Sequence, residues 1–326
     1  MKPIKLLALI AIFLLVSTAT GACTTQTSES TPSSGKETGA IMVKVVVTQN
    51  FGQELMLDET LEVLPDTSAM TALMEVAEVE TAYGGGFVNA INGVRSGFTG
   101  GQSAKRDWFF YMNGIQSNIG ALDYKLHDGD VQHWDFHSWS FRHFIPAIID
   151  GFPAPFQYGF GGKVSPNLIV CQDSLKGNAE KLEKKLIKLG VNNISLRSFS
   201  ELAENEKESS NLVFVGLPDN NLISELNQNW QRLGFFAYFE DGNLTVIDIG
   251  GEVTAKYDAG AGVIQVTQNP WNPKGIGACE NVVCLVSGTD EDGVENALDA
   301  LINHYGDFQY AGAVVVADGE IIKVPQ

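Results

Sequence analysis

Residues 107–139 read DWFFYMNGIQSNIGALDYKLHDGDVQHWDFHSW, and this stretch decides the fold of the first half of the chain. Two runs rich in aromatic and β-branched residues enclose a middle segment that is rich in turn residues. The pairs Asn113-Gly114 and Asp128-Gly129 favour tight turns, because these residues tolerate a positive φ. The stretch therefore predicts the closing half of a small twisted sheet.

The segment before it supplies the other half of that sheet. Alternating and β-branched residues predict strands at 42–48, 54–63 and 88–91. Apolar residues at helical spacing predict a helix at 69–79 between the second and third of these strands. A β-grasp sheet, across which one helix packs, has this order of elements. We therefore expect an α+β, β-grasp-like domain over residues 41–145.

The aromatic strand at 108–112 allows two interpretations. Trp108, Phe110 and Met112 share one face of the strand, and Phe109 and Tyr111 share the other. One face must be core. If the other is open, its aromatic rings form a flat apolar platform that suits a macrocycle or a sugar ring. If both faces are buried, these residues need no ligand.

The motifs of this half resemble a known family. They include Asn50-Phe51-Gly52, Tyr83-Gly84-Gly85-Gly86-Phe87, Ile91-Asn92-Gly93, Asn113-Gly114 after the aromatic run, and His137-Ser138-Trp139. Together they resemble the C-terminal domain of transcobalamin and intrinsic factor and its bacterial relatives. That family's vertebrate members hold one face of cobalamin, so the resemblance implies cobalamin, another corrinoid or a similar flat ligand. The ligand-binding residues that it implies lie in one turn and the strand beside it: Ser117, Asn118, Ile119, Gly120, Trp108 and Phe110.

The histidines after this turn form a second candidate site. His133, Asp135 and His137 alternate and therefore project from one strand face. They are weak candidates for a metal site, which would need further ligands such as His127 or His143. One imidazole could instead coordinate the cobalt of a corrinoid. The alternative is a solvated polar face opposite the core.

The second half of the chain predicts a different architecture. Strands and helices alternate over residues 146–326, which predicts a three-layer α/β domain with a mostly parallel sheet. The loop Asn269-Pro270-Trp271-Asn272-Pro273 and the later turn Gly288-Thr289-Asp290 resemble an S-layer-like module of envelope proteins. This resemblance implies surface architecture or binding and supplies no catalytic residues. The glycine-rich segment 159–163 lacks the spacing of a phosphate-binding loop.

The N-terminus predicts export. Lys2 and Lys5 precede an apolar run at 6–16 that is too short to span a membrane. The sequence Thr20-Gly21-Ala22-Cys23 resembles the lipobox of bacterial lipoproteins. We therefore expect a signal peptide at 1–22, lipidation of Cys23 and a disordered tether at 23–40 that is poor in apolar residues. The alternative is an ordinary signal peptide followed by a chance cysteine.

Net charge limits the classes of binding partner, and the cysteines allow one candidate disulfide. The net charge of −18 disfavours nucleic acid and anionic lipid surfaces, because both repel an acidic protein. Outside the cytoplasm a disulfide between Cys279 and Cys284 is possible, and buried free thiols are the alternative.

No nucleophile elbow, HExxH or paired-carboxylate motif is present, so we expect no enzyme activity. The sequence favours a lipid-anchored extracytoplasmic protein that binds a small flat ligand for uptake or delivery, with a transporter as a possible partner. The alternative is a structural or adhesive envelope protein that binds proteins or glycans.

Overall fold

The first half of the chain contains eight strands and two helices among the residues that the structure describes. The computed structural model describes residues 39–98 and 104–326, so the predicted signal peptide, Cys23 and nearly all of the predicted tether lie outside it. The elements are β1 (Ile41–Gln49), β2 (Glu54–Val63), α1 (Ala69–Val76), β3 (Val79–Ala82), β4 (Phe87–Ile91), β5 (Val94–Arg95), β6 (Arg106–Met112), β7 (Ile115–Gln116), β8 (Val131–Ser138) and α2 (Ala154–Gln157).

The second half adds ten strands and four helices. None of the helices within the described residues is long and apolar enough to cross a membrane. The elements are β9 (Asn167–Cys171), α3 (Lys176–Lys188), β10 (Ile194–Ser198), α4 (Glu204–Ser209), β11 (Asn211–Val215), α5 (Asn221–Gln228), β12 (Ala237–Glu240), β13 (Asn243–Ile247), β14 (Val253–Tyr257), β15 (Gly262–Gln268), β16 (Val282–Gly288), α6 (Glu291–Asn303), β17 (Ala313–Ala317) and β18 (Glu320–Val324).

The stretch at 107–139 lies in a five-stranded sheet with the order β2-β1-β8-β6-β7. Strand β1 runs parallel to β8, and the other neighbouring strands are antiparallel. Asn113 and Gly114 form the turn between β6 and β7, and both have a positive φ, as the sequence predicts. Strand β8 is central in this sheet, so its two faces are both available for burial.

Helix α1 covers one face of this sheet. Ser68 caps the helix, and its hydroxyl accepts a hydrogen bond of 3.1 Å from the Thr71 N–H. The buried side chains of Met70 and Leu73 pack with the β-branched and aromatic residues of β1, β6 and β8. The helix ends at Val76 rather than at the predicted residue 79, because β3 begins at residue 79. Strand β3 pairs with β4, which pairs with β5, so the three strands form a separate sheet.

The second half is built on a seven-stranded sheet with the order β10-β9-β11-β16-β15-β17-β18. The first four strands are parallel, and the remaining neighbours are antiparallel. Uninterrupted apolar runs form the central strands, as expected for strands that are buried on both faces.

Different elements cover the two faces of this sheet. Helices α3 and α6 pack on one face through residues such as Leu182 and Leu298. Helix α5 covers part of the opposite face, and the three-stranded sheet β12-β13-β14 covers another part through Leu244 and Val246. The chain is therefore a mixed α/β protein that consists mostly of sheets with some helices.

The cysteines of the described residues correct one prediction. Cys171, Cys279 and Cys284 are all buried free thiols, so the candidate disulfide between Cys279 and Cys284 is not present in the structure. Cys284 lies in the middle of β16, and its side chain packs in the core beneath α3 and α6. Cys279 lies in the preceding loop, where its thiol donates to the Gln116 carbonyl at 3.3 Å.

Candidate functional site

The turn at 117–120 is held in a defined conformation after β7. The Ser117 N–H donates to the Phe110 carbonyl at 3.0 Å, which keeps the turn beside β6. The Ser117 hydroxyl donates to the Ile119 carbonyl at 2.7 Å and accepts from the Ile119 N–H at 3.2 Å. Such local side-chain bonds replace the ladder bonds that the turn cannot make. The Ile119 side chain is left 40% exposed at the tip.

The six ligand-binding residues that the sequence predicts all line one cleft, which we call the hairpin cleft. It encloses about 260 Å³ between the turn, the aromatic strand and the start of β4. Phe110 is half-buried in it and stacks on Trp134 with ring centres 4.7 Å apart. Trp108 is only 8% exposed, and its indole N–H donates to the Val94 carbonyl at 3.0 Å. The aromatic strand is therefore largely covered, and only part of it faces the cleft.

Exposed apolar side chains lie near the mouth of the hairpin cleft. Tyr83 is 76% exposed and Phe98 is 63% exposed, and each contacts the ring of Phe87, which lines the cleft. Leu122 is also exposed. Exposed apolar groups that cluster beside a concave surface are typical of binding sites. Sequence motifs include Tyr83, Phe87 and Leu122, whereas Phe98 carries no signal in the sequence.

A second cleft lies on the other side of the same turn. We call it the large cleft; it encloses about 890 Å³ and shares Asn118 and Ile119 with the hairpin cleft. Its other lining residues come from 160–165, 208–209, 272–274 and 278–280. The glycine-rich segment 159–163 and the Asn-Pro-Trp-Asn-Pro loop were visible in the sequence, but nothing there indicated that they meet.

Gln268 fixes the turn to the second half of the chain. This side chain is buried, and its amide N–H groups donate to the Gln116 carbonyl at 3.3 Å and the Pro146 carbonyl at 3.0 Å. Its amide oxygen accepts from the N–H groups of Gly277 and Cys279, each at 2.9 Å. Two donors and two acceptor positions are the full capacity of a glutamine amide. Gln268 therefore connects the strand before the turn to the 277–279 loop.

The histidine face is buried, which corrects the expectation of a solvated polar face. His133, Asp135 and His137 are at most 1% exposed, because residues of the second half cover this side of the sheet. His137 lies between the rings of Phe51 and Phe109, with ring centres 4.6 and 4.1 Å away. A buried polar group must find partners within the protein, and these residues do so.

The partners form one network around Asp135. Thr48 donates its hydroxyl proton to Asp135 Oδ2 at 2.5 Å, and the Phe51 N–H donates to the same oxygen at 2.9 Å. His137 Nδ1 lies 2.7 Å from Asp135 Oδ1. Thr48 has no second proton, so it must accept from His133 Nε2, which lies 2.6 Å away.

The geometry around His133 favours its imidazolium form. Its Nε2 carries a proton toward Thr48, and its Nδ1 forms an ion pair of 2.7 Å with Asp150 Oδ2. Burial by itself lowers the pKa of His133, but Asp150 and Asp135 outweigh burial and raise it above its ordinary value. Burial likewise opposes ionisation of Asp135 and Asp150, but the histidines and their hydrogen-bond donors hold the pKa of each carboxyl below its usual range.

This network fits neither a metal site nor a catalytic triad. Among the described residues, no group of three or more His, Cys, Asp or Glu side chains could hold a metal ion. Thr48, His133 and Asp150 are bonded in the order of a hydrolase triad. However, Thr48 is completely buried, so no substrate reaches its hydroxyl, and that hydroxyl donates to Asp135 rather than to the histidine.

Comparisons with known proteins identify the region that contains the hairpin cleft. Residues 66–138 match a family model described as "Domain of unknown function (DUF4430)". A comparison with curated proteins gives no match.

Two solved structures are similar over part of the chain. A "putative metal binding protein" from Ruminococcus gnavus is 17% identical over 30% of this chain and 95% of that chain, with a TM-score of 0.22. Haptocorrin in complex with Cbi is 14% identical over 30% of this chain and 25% of the haptocorrin chain, with a TM-score of 0.26. At these TM-scores neither similarity identifies a ligand, so the function must be argued from the clefts.

Proposed function

We propose that this chain is a non-catalytic, lipid-anchored extracytoplasmic protein that binds a small flat ligand at the hairpin cleft. The observation that supports it is the convergence of Trp108, Phe110 and the 117–120 turn on one cleft with exposed aromatic residues near its mouth. Clefts lined by aromatic rings with a few polar groups suit flat apolar ligands. Lipidation of Cys23 would hold the protein at the membrane, where a transporter could receive the ligand.

Cobalamin or another corrinoid is the ligand that we propose. The hairpin cleft, at about 260 Å³, is smaller than the roughly 300–1,000 Å³ of typical ligand pockets. It would therefore admit only one edge of a macrocycle, while Ile119, Leu122 and Tyr83 would contact the ligand from outside the cleft. The buried histidines are not available to the cobalt of such a ligand, because they lie on the opposite face of the sheet.

A binding measurement tests the proposal. Full-length protein would be equilibrated with cobalamin, desalted and scanned for visible absorbance, and titration would give the dissociation constant. Ile119→Asp places a charge at the tip of the turn and should weaken binding about tenfold or more, because an apolar contact becomes a desolvated carboxylate. Ile187→Asp is the matched control, since Ile187 is an exposed isoleucine on α3, away from the cleft.

The outcomes separate clearly. Retained colour with the control variant and its loss with Ile119→Asp support the hairpin cleft as the site. Colourless wild-type protein after desalting would exclude tight corrinoid binding. Equal binding by both variants would place the ligand elsewhere.

We interpret the five-stranded sheet with α1 as a β-grasp-like domain over residues 41–145. We interpret residues 146–326 as a three-layer α/β domain whose parallel part is β10-β9-β11-β16.

On this interpretation the second domain is S-layer-like, which favours a second candidate function. That candidate is a structural or adhesive envelope protein whose exposed rings Tyr83 and Phe98 stack on glycans or protein neighbours. Cross-linking on intact cells tests it, and a lack of both protein neighbours and wall retention would count against it.

A further inference from the structure

The large cleft has an apolar wall of which the proposed function uses only Ile119. Ile119 and Val164 are each at least 40% exposed in it, and Phe160, Pro273 and Ala278 line the same surface. Its volume of about 890 Å³ lies in the range of small-molecule sites, roughly 300–1,000 Å³. An apolar concavity of this size favours a ligand with apolar groups of its own.

Most polar side chains around this cleft are already satisfied by the protein. Asn118 donates to the Gly277 carbonyl at 2.8 Å, and Ser209 donates to the Asn205 carbonyl at 2.6 Å. Asn272 donates to Asn281 at 2.8 Å and accepts from the Lys274 N–H at 2.9 Å. Glu280 forms an ion pair with Lys274. The hydrogen bonds that Glu280 accepts from Lys274 and Asn272 lower its pKa.

Two charges remain without such partners. Within the part of the chain that the structure describes, neither the Lys163 ammonium nor the Glu208 carboxylate is in an ion pair or a side-chain hydrogen bond. Lys163 acts on Glu280 only at longer range, as a minor contribution to its pKa. Both side chains line the cleft, so one free cation and one free anion border an apolar surface.

We propose that the large cleft binds a short apolar peptide with free termini, whose carboxylate pairs with Lys163 and whose ammonium pairs with Glu208. A purely anionic ligand would meet two glutamates in the wall, and a purely cationic one would meet two lysines. A zwitterion with apolar side chains is complementary to every feature of the wall. Ile119 borders both clefts, but the two charged contacts of this proposal, Lys163 and Glu208, do not line the hairpin cleft.

Charge-capped probes test both contacts in the full-length protein. Isothermal titration calorimetry would compare trileucine with N-acetyl-trileucine, which lacks the ammonium, and trileucine amide, which lacks the carboxylate. Each cap should weaken binding to wild-type protein about threefold to tenfold, the range of a partly exposed ion pair or somewhat above it.

The variants assign each contact. Lys163→Gln should weaken trileucine binding and should remove the difference between trileucine and its amide, while the effect of acetylation persists. Glu208→Gln should remove the effect of acetylation and leave that of the amide. Lys184→Gln and Glu183→Gln on α3 are matched controls, because these residues lie outside the cleft, and both should leave every difference intact.

The proposal is overturned if wild-type protein binds no trileucine at millimolar concentration, or if the capped and free peptides bind equally. Binding that responds to the caps but not to Lys163→Gln or Glu208→Gln would also overturn it, since the peptide would then lie elsewhere. None of these results depends on corrinoid binding, so failure here and failure at the hairpin cleft are distinguishable.

Discussion

The two faces of the β6–β8 strand pair are both buried, but by opposite means. The aromatic face, formed by Trp108, Phe110, Met112, Trp134 and Phe136, packs under α1 by apolar contact. The polar face, formed by Phe109, Tyr111, His133, Asp135 and His137, holds a buried network of ion pairs and hydrogen bonds that reaches the second half of the chain through Asp150, and apolar residues such as Phe236 and Ala237 cover it.

This difference explains where a cleft can form. Apolar contacts have no fixed direction, so the aromatic face tolerates a gap of about 260 Å³ at its edge. A charged group on the polar face cannot lose a partner without a large desolvation penalty, so that face must be closed completely. The same two strands therefore combine an adaptable binding surface with a rigid attachment to the rest of the chain.

Removing Asp135 should have the largest effect on stability. Asp135→Ala leaves His133 as a buried cation with one carboxylate fewer, and it leaves the Thr48 hydroxyl and the Phe51 N–H without their acceptor. We expect a loss of about 3–5 kcal/mol in the free energy of unfolding, as for other broken buried ion pairs. Urea denaturation measures it. Asp123→Ala, at an exposed site, should change stability by less than about 0.5 kcal/mol.

A cavity on the aromatic face should cost less, because that face can relax. Met112 is completely buried beneath α1, and Met112→Ala should lower the free energy of unfolding by about 3 kcal/mol. Met74→Ala on the exposed side of α1 is the control, with an expected change below about 0.5 kcal/mol. If Met112→Ala costs more than Asp135→Ala in the same urea experiment, the comparison of the two faces is wrong.

Gln268 tests whether the turn between the clefts is fixed from the second half of the chain. Gln268→Leu leaves the N–H groups of Gly277 and Cys279 without their acceptor, at a cost of about 1–3 kcal/mol. Faster amide hydrogen exchange should appear at residues 117–120 and 277–279 and not in α6. Gln228→Leu, on the exposed side of α5, should change neither quantity. Unchanged exchange at the turn would mean that local bonds alone fix it.

Local patterns in the sequence were enough for several elements of the first half of the chain. The predicted strand at 54–63 has the bounds of β2, and the alternation at 108–112 sorted these five side chains correctly onto two faces. Both features depend on the two-residue period of a strand and on nearby turns. Asp290, which the sequence placed in the turn Gly288-Thr289-Asp290, caps α6 and accepts from the Gly293 N–H at 2.8 Å.

Features that depend on distant pairing could not be predicted in this way. The histidines alternate as a solvated face would, but Asp150 and the second half of the chain bury them. Strand β3 was not predicted, and its first residue, Val79, was assigned to the end of a helix, because its pairing with β4 has no local signal. The large cleft joins segments that are more than a hundred residues apart, so only the folded chain brings them together.

The pH dependence of stability should follow the polar face. The raised pKa of His133 adds to the free energy of unfolding. This contribution is complete below the pKa of the unfolded state, about 6.5, and is lost as the pH rises through the pKa of the folded state. The lowered pKa values of Asp135 and Asp150 give contributions present above about pH 4 and lost as the pH falls through the folded values. Stability from this network should therefore be greatest between about pH 4 and pH 6.5.

His133→Gln isolates the alkaline part of this profile. The variant should be less stable than wild type at pH 6, and its stability should change less between pH 6 and pH 9, because the titrating cation is gone. Denaturation midpoints across this range measure the effect. His143→Gln, at an exposed histidine, should keep the wild-type profile. A variant profile as steep as that of wild type would show that another group titrates.

The smallest effect should come from the cap of α1, which covers the aromatic face. Ser68→Ala removes the acceptor of the Thr71 N–H and should lower the free energy of unfolding by about 1 kcal/mol. Ser68→Thr keeps a hydroxyl at the cap and should retain most of that stability.

Met70 belongs both to α1 and to the lining of the hairpin cleft, so fraying of the helix should also loosen the cleft. Thermal unfolding measures the cap, and ligand titration of the same variants measures the cleft. If stability falls while affinity is unchanged, α1 supports the sheet without shaping the site, and the gap on the aromatic face is then a property of β6 and the turn alone.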